Sequence, residues 1–187
     1  PEMAERQQAA KTEAARLRKE AGIHPLSGLP NKRAYDQAPK LPVQVSMDAD
    51  SLKWVNDNLG HQAGDAMLTA TGKALQDAGL EVYHVSGDEF LAQGALREDV
   101  ERRIAAAKEL MDAATFRYRD AEGEWREYKG AGFSYGIADT QAAAEVKLKA
   151  AKSERETRGE RAGRGERPPE LAEVVPREGA RPGAEEA

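Results

Sequence analysis

Asp48-Ala49-Asp50-Ser51-Leu52-Lys53-Trp54-Val55-Asn56-Asp57-Asn58-Leu59-Gly60-His61-Gln62-Ala63-Gly64-Asp65 is the stretch that decides the reading of this 187-residue chain. Just before it, Val43-Gln44-Val45-Ser46-Met47 alternates apolar and polar residues as a half-buried strand does, and so delivers Asp48 to a strand end. In extended chain residues i and i+2 share a face, so Asp48 and Asp50 point the same way. Residues 51–59 and 65–78 then read as two helices joined around Gly60 and Gly64, with Leu52, Val55 and Leu59 on one face. Two short strands follow, 81–85 and 90–93, joined by Ser86-Gly87-Asp88-Glu89 as a hairpin with an acidic tip.

If that hairpin lies on the strand beside 43–47, Asp88 meets Asp48 across the sheet. Hard oxygen ligands from two strands, completed by triphosphate oxygens, make a Mg²⁺ (or Mn²⁺) site. A calcium loop of the EF-hand kind also starts with D-x-D, but here its next ligand position is Leu52 and its twelfth is Leu59, which excludes it. Lys53 sits just inside the following helix, where its ammonium and nearby backbone N–H groups can receive phosphates. Taken without these neighbours, the same residues read as a solvated turn and an exposed helix lysine.

Farther out, residues 97–114 carry helical spacing at Val100, Ile104, Ala107, Leu110 and Met111. A second hairpin is expected from 116–118 and 124–129 around Glu122-Gly123, then a strand at 133–138 and a helix at 141–152. Residues 2–22 are rich in helix formers, with a weak seam at Met3, Ala10 and Leu17; they read as a solvated lead-in helix, the alternative being a signalling stalk that pairs two domains. Every Phe, Trp and Tyr falls between Tyr35 and Tyr135, so the core lies there. From Ser153 onward the chain is rich in Glu, Arg, Gly and Pro and is expected to be disordered. The organisation is therefore 1–23 lead-in helix, 24–152 folded domain and 153–187 charged tail.

A net charge of −5 and a pI near 5.4 argue against a broad nucleic-acid surface. In the tail, the RGERAGRGER stretch interleaves Glu with Arg and cancels most of its charge. Cysteine is absent, which removes disulfides and thiolate metal sites and fits a reducing compartment. No apolar run approaches a membrane span, and the N-terminus lacks the order of a signal peptide; a cytoplasmic location is expected.

The quoted stretch resembles the D-x-D-x-x-K-x-x-N-D-x-x-G-H-x-x-G-D pattern of the GGDEF, or diguanylate cyclase, family almost position for position. Ser86-Gly87-Asp88-Glu89-Phe90 is similar to the signature itself, with Ser for the first Gly. Upstream, Pro25-Leu26-Ser27-Gly28-Leu29-Pro30-Asn31-Lys32-Arg33 resembles D-x-L-T-G-L-x-N-R-R, with His24 near the usual Asp, and downstream Ser134-Tyr135-Gly136-Ile137-Ala138 matches S-x-G-x-A. The resemblance covers residues 24–152. It implies an α+β fold, with a central, mostly antiparallel sheet flanked by helices as in polymerase palm and nucleotide cyclase domains. The implied activity is condensation of two GTP into cyclic di-GMP with release of pyrophosphate, carried out by a homodimer. Carried over by residue match, Asp48 and Asp88 bind the metal with help from the Ala49 carbonyl, and Glu89 is the base for the 3′-hydroxyl. Lys53 and Lys152 hold phosphates, and Asn56 and Asp65 read guanine. A carboxylate accepts from guanine's N1–H and exocyclic amine together, a donor pair that adenine lacks.

Several positions depart from the pattern. Ser86 replaces a Gly and His84 stands where the family often has Arg; His84 and His61 read as a strand residue and a turn residue. The segment between Ala138 and Lys152 is shorter than usual and reads Glu145-Val146-Lys147-Leu148-Lys149 where D-x-A-L-Y is customary. Asp77-Ala78-Gly79-Leu80 occupies the place of the R-x-x-D product-inhibition motif, so feedback through that site is not expected. The alternatives to the cyclase are a degenerate domain that binds GTP or a protein partner without turnover, and a palm-type enzyme making another nucleotide product.

Overall fold

The computed structural model describes residues 2–130, 132–159, 167–168 and 171–174. Its elements run α1 (Glu2–Glu20), α2 (Lys32–Gln37), β1 (Val43–Ala49), α3 (Leu52–Leu59), α4 (His61–Asp77), β2 (Glu81–Ser86), β3 (Glu89–Gly94), α5 (Arg97–Ala113), β4 (Thr115–Arg119), β5 (Trp125–Lys129), β6 (Phe133–Ala138), α6 (Gln141–Thr157) and β7 (Ala172–Glu173). Four strands form an antiparallel sheet in the order β2-β3-β1-β6, and β4-β5-β7 form a smaller one. The acidic hairpin therefore lies on the strand beside β1, which meets the condition set by the sequence, and Asp48 is the register partner of Glu89. This is the α+β architecture expected, with helices flanking an antiparallel sheet.

The period-two alternation of β1 sorts its side chains between two different environments. Val45 and Met47 join Phe90, Met67, Leu68 and Ile104 in the main core, filled from α4 and α5. Gln44, Ser46 and Asp48 face the other way, toward α2 and α6. Burying Gln44 is tolerated because its amide is fully used: it accepts from the Tyr35 hydroxyl at 2.6 Å and donates to Gln93 at 3.0 Å and to the Leu41 carbonyl at 2.8 Å. Gln44 and Gln93 are also register partners, so this satisfied network helps set the β1–β3 pairing that carries Asp48 to its place.

Helix α6 lies unusually close to the sheet because of one residue. A Cβ at Gly136 of β6 would overlap the α6 backbone at Ala144 and Leu148, so only glycine permits the contact, and the S-x-G-x-A strand acquires a physical reason. Thr140 caps the helix by accepting from the Ala143 N–H at 3.2 Å, and Ala144 and Leu148 are its buried residues.

Two boundaries differ from the sequence expectation. The second helix of the quoted stretch starts at His61, not at residue 65, because Gly60 at φ +96° ends α3 and begins α4 in one residue; His61 is the first, exposed residue of α4 and not part of a turn. The disordered tail expected over 153–187 also needs correction. Residues 153–157 continue α6, Leu171 is 2 % exposed within the core, and Ala172–Glu173 pair with β5, helped by an Arg126–Glu173 ion pair at 2.8 Å. A single large apolar residue, Leu171, supplies the burial that composition alone did not reveal. The rest of that call, including most of the RGERAGRGER stretch, lies outside the described residues.

Candidate active site

The end of β1 and the β2–β3 turn form one construction. The Ala49 N–H donates to the Asp88 carbonyl at 2.8 Å, extending the β1–β3 ladder past Asp48 and Glu89 into the turn. Asp48 and Asp88 are thereby held as neighbours. Burial pushes the Asp88 carboxyl above its ordinary range, and the Asp48 charge adds to the rise. Two half-buried carboxylates that repel each other are a setting for a cation. One protein cation already approaches: the Lys152 ammonium on α6 pairs with Asp48 Oδ2. The helix that Gly136 lets down onto the sheet thus brings Lys152 beside Asp48, despite the shortened path from Ala138 and the departure from D-x-A-L-Y.

Glu89 is exposed beside this pair, and its Oε2 accepts a hydrogen bond from the Ser86 hydroxyl at 2.8 Å. Ser86 takes no positive φ, so the replacement of glycine is accommodated without backbone strain; the left-handed turn position falls on Gly87 at φ +31°. A bulge between His84 and Ser86 turns the strand out of register just before the signature. Together Asp48, Ser86, Glu89 and Lys152 line a cleft of about 410 Å³ between α2 and α6, which Lys32, Gln141 and Lys149 also border.

Asp50 shares the α6-facing side with Asp48 but serves differently. Its Oδ2 pairs with Arg155 at 2.7 Å and its Oδ1 accepts from Ser134 at 2.7 Å, and it borders a separate cavity of about 380 Å³ with Lys108, Lys129 and Phe133. The chain then passes through Ser51 at φ +67°, the one non-glycine residue with positive φ among the described residues, to start α3. Lys53 is exposed on the first turn of that helix.

Asn56 and Asp65 come together at the α3–α4 junction. The Asn56 side chain lies so close over Gly64 that a Cβ there would overlap its amide, which explains the glycine one residue before Asp65. Among the described residues neither the Asn56 amide nor the Asp65 carboxylate has a hydrogen-bonding partner, and Asp65 is exposed. They form a second polar group, on a different pair of helices from the carboxylate cluster.

As a metal centre the donor set fits a hard, oxygen-seeking dication. Among the described residues no three His, Cys, Asp or Glu side chains form a ready-made cage, whereas Mg²⁺ is ordinarily held by one or two carboxylates plus substrate phosphates and water. Asp48 and Asp88, with the Ala49 carbonyl, are the residues that would hold such an ion.

Sequence reasoning did not find the part played by His84. It is fully buried on β2, with Nδ1 on the Ser27 hydroxyl at 2.8 Å and Nε2 on the Gly87 carbonyl at 2.8 Å. His24 stacks on one face of its ring, with centroids 3.6 Å apart, and Phe90 on the other at 4.3 Å. The signal available in the sequence was that both histidines stand at departures from the family pattern.

The antiparallel sheet flanked by helices and the signature turn are those of a GGDEF domain, and the comparisons with known proteins agree. Residues 21–158 match the family described as "Diguanylate cyclase, GGDEF domain", and the chain belongs to that family. It is 36 % identical over 90 residues to the diguanylate cyclase VdcA of Vibrio cholerae, covering 43 % of this chain and 26 % of that protein. It is 32 % identical over 102 residues to the diguanylate cyclase DgcN of Escherichia coli, covering 48 % of this chain and 25 % of that one. The chain thus matches about a quarter of the length of these relatives. A sensory box/GGDEF family protein from Caulobacter crescentus has the same fold, with a TM-score of 0.55 at 24 % identity over 71 % of this chain and 99 % of that one. Among the described residues no helix is long and apolar enough to cross a membrane.

Proposed function

We propose that this domain is a diguanylate cyclase that condenses two GTP into cyclic di-GMP, releasing two pyrophosphates, with Mg²⁺ and with a second copy of itself. The observation that carries the reading is the gathering of the Asp48 and Glu89 carboxylates and the Lys152 ammonium on one cleft, with Asp88 beside Asp48 in the adjoining turn. Phosphoryl transfer is mostly positioning and charge neutralisation, and these groups supply both.

In each step a 3′-hydroxyl oxygen bonds to the α-phosphorus of the other nucleotide, the bond from that phosphorus to the β-phosphate oxygen breaks, and pyrophosphate leaves with the electron pair. Glu89 takes the hydroxyl proton, with Ser86 fixing the carboxylate that receives it. Lys152 and Lys53 hold the triphosphate, Asp48 and Asp88 with the Ala49 carbonyl hold the metal, and Asn56 and Asp65 select guanine. The metal, when bound, neutralises charge on the transferring phosphate. Each copy holds one GTP, so closing the ring requires two copies face to face.

The test is incubation of concentrated protein with GTP and Mg²⁺ and identification of products by mass. Cyclic di-GMP that disappears in Asp88→Ala supports the reading; GTP recovered intact by a protein that binds it overturns the cyclase and favours a binding domain. The ion pair between Lys152 and Asp48 is the feature that favours that second reading, since it engages a proposed metal ligand from within the protein.

A further inference from the structure

The loop between α1 and α2 is fastened to the signature turn through one imidazole. The His84 backbone N–H donates to the Pro30 carbonyl at 2.8 Å, and its side chain lies between the His24 ring from that loop and the Phe90 ring of β3. A carbonyl can only accept, so Nε2 carries the proton given to Gly87, and Nδ1 takes the Ser27 hydroxyl hydrogen. Every polar position of this ring is used, and every bond has a purpose at one of two places: the Ser27 loop or the Gly87 carbonyl.

Gly87 immediately precedes Asp88, whose own carbonyl is held by the Ala49 N–H. The turn is therefore held on its β1 side by Ala49 and on its β2 side by His84. The loop side is anchored in turn to the foot of α1: the Ile23 N–H donates to the Arg18 carbonyl at 2.8 Å, and the Asn31 amide donates to the Lys19 carbonyl at 3.1 Å. A continuous set of contacts thus runs from the last turn of α1 through His24 and Ser27 to the acidic tip.

We infer that His84 is a positioning residue for the Asp88–Glu89 turn, acting through its Nε2–H bond to the Gly87 carbonyl, and that His24 and Ser27 lock the ring in the orientation that makes this bond. This deepens the cyclase reading in its consequence for turnover, but the positional claim itself stands on the geometry of the turn. A donor 2.8 Å from the turn's backbone sets where the next two carboxylates lie, and displacement by about 1 Å is enough to cost on the order of 10²-fold in rate.

The experiment compares His84→Phe, which keeps a planar ring between His24 and Phe90 but has no donor, with His84→Gln, which keeps a side-chain N–H. Two readouts are taken on the full chain: amide hydrogen exchange at Ala49 and at residues 86–90, and kcat and KM for GTP with Mg²⁺. His84→Phe should accelerate exchange at Ala49 and in the turn at least tenfold while the amides of residues 43–47 and of β6 keep wild-type protection, and should lower kcat far more than it raises KM. His84→Gln should recover most of both. Wild-type protection of Ala49 and the turn in His84→Phe overturns the inference, as does equal loss of protection throughout the sheet in both variants. A wild-type protein that turns over no GTP removes the cyclase reading, and the exchange comparison still decides whether His84 positions the turn.

Discussion

Lys152 on α6 and Asp48 at the end of β1, 104 residues apart in the chain, are joined by an ion pair. The pair is half-buried, and on the other side of Asp48 stands a carboxylate that repels it. Removing the ammonium takes from two neighbouring acids the cation that pairs with Asp48. Lys152→Ala is expected to lower kcat/KM for GTP by about 10²-fold, as loss of a preorganised electrostatic partner does. It should destabilise the protein by about 1–3 kcal/mol in urea unfolding without Mg²⁺. Added Mg²⁺ should restore part of that stability.

Asp88→Asn acts in the opposite direction on stability. Its carboxyl is held above the ordinary range by burial and by Asp48, so the charged form is unfavourable in the fold at neutral pH. The amide should raise stability, the exchange of stability for function common at active sites, while abolishing product. Thermal unfolding with parallel assays of product checks both halves.

The histidine stack predicts the acid limb of the stability profile. Burial, with the neighbouring His84 adding to it, pushes His24 down to about 4, and burial lowers His84 as well. The unfolded chain binds these protons from about pH 6.5 downward and the folded one only at lower pH. Stability is therefore full above 6.5 and is lost as pH falls toward about 4. Melting temperatures measured across that window should decline in the wild type and decline less in His24→Phe, which keeps a ring and removes one titrating group.

Gly64→Ala tests the proposed guanine-reading pair, Asn56 and Asp65, without substituting either residue. The added methyl displaces the Asn56 amide, so KM for GTP should rise by about 10–100-fold, the range for losing one good base contact. The preference for GTP over ATP should shrink with it. Competition binding with both nucleotides measures the change, and Asp65→Ala, at an exposed position, should reproduce it with little change in melting temperature.

Much of this was legible because strand alternation and hairpin chemistry are local. Val43 to Met47 pointed Asp48 to a strand end, and the β1–β3 register sets Glu89 opposite it, with Asp88 one residue further into the acidic turn. The parts that were not legible depend on contacts between distant segments. Lys152 reaches Asp48 because Gly136 admits the α6 backbone, a fact of packing and not of spacing. Nothing in Ser86 alone foretells a bond to Glu89, since a serine hydroxyl has many partners within reach. Leu171 was one apolar residue in a polar stretch, and its burial depended on an opening beside β5 that no local pattern records.

The central claim is that the cleft at Asp48, Glu89 and Lys152, with Asp88 in the adjoining turn, joins two GTP molecules held by two copies of the domain. Its most direct test is the rate of cyclic di-GMP formation, followed by mass, as protein concentration is raised at saturating GTP and Mg²⁺. The account predicts product from GTP and none from ATP, with a rate that climbs more steeply than linearly in protein and vanishes in Asp48→Asn. GTP that binds but is recovered unchanged at every protein concentration would contradict it.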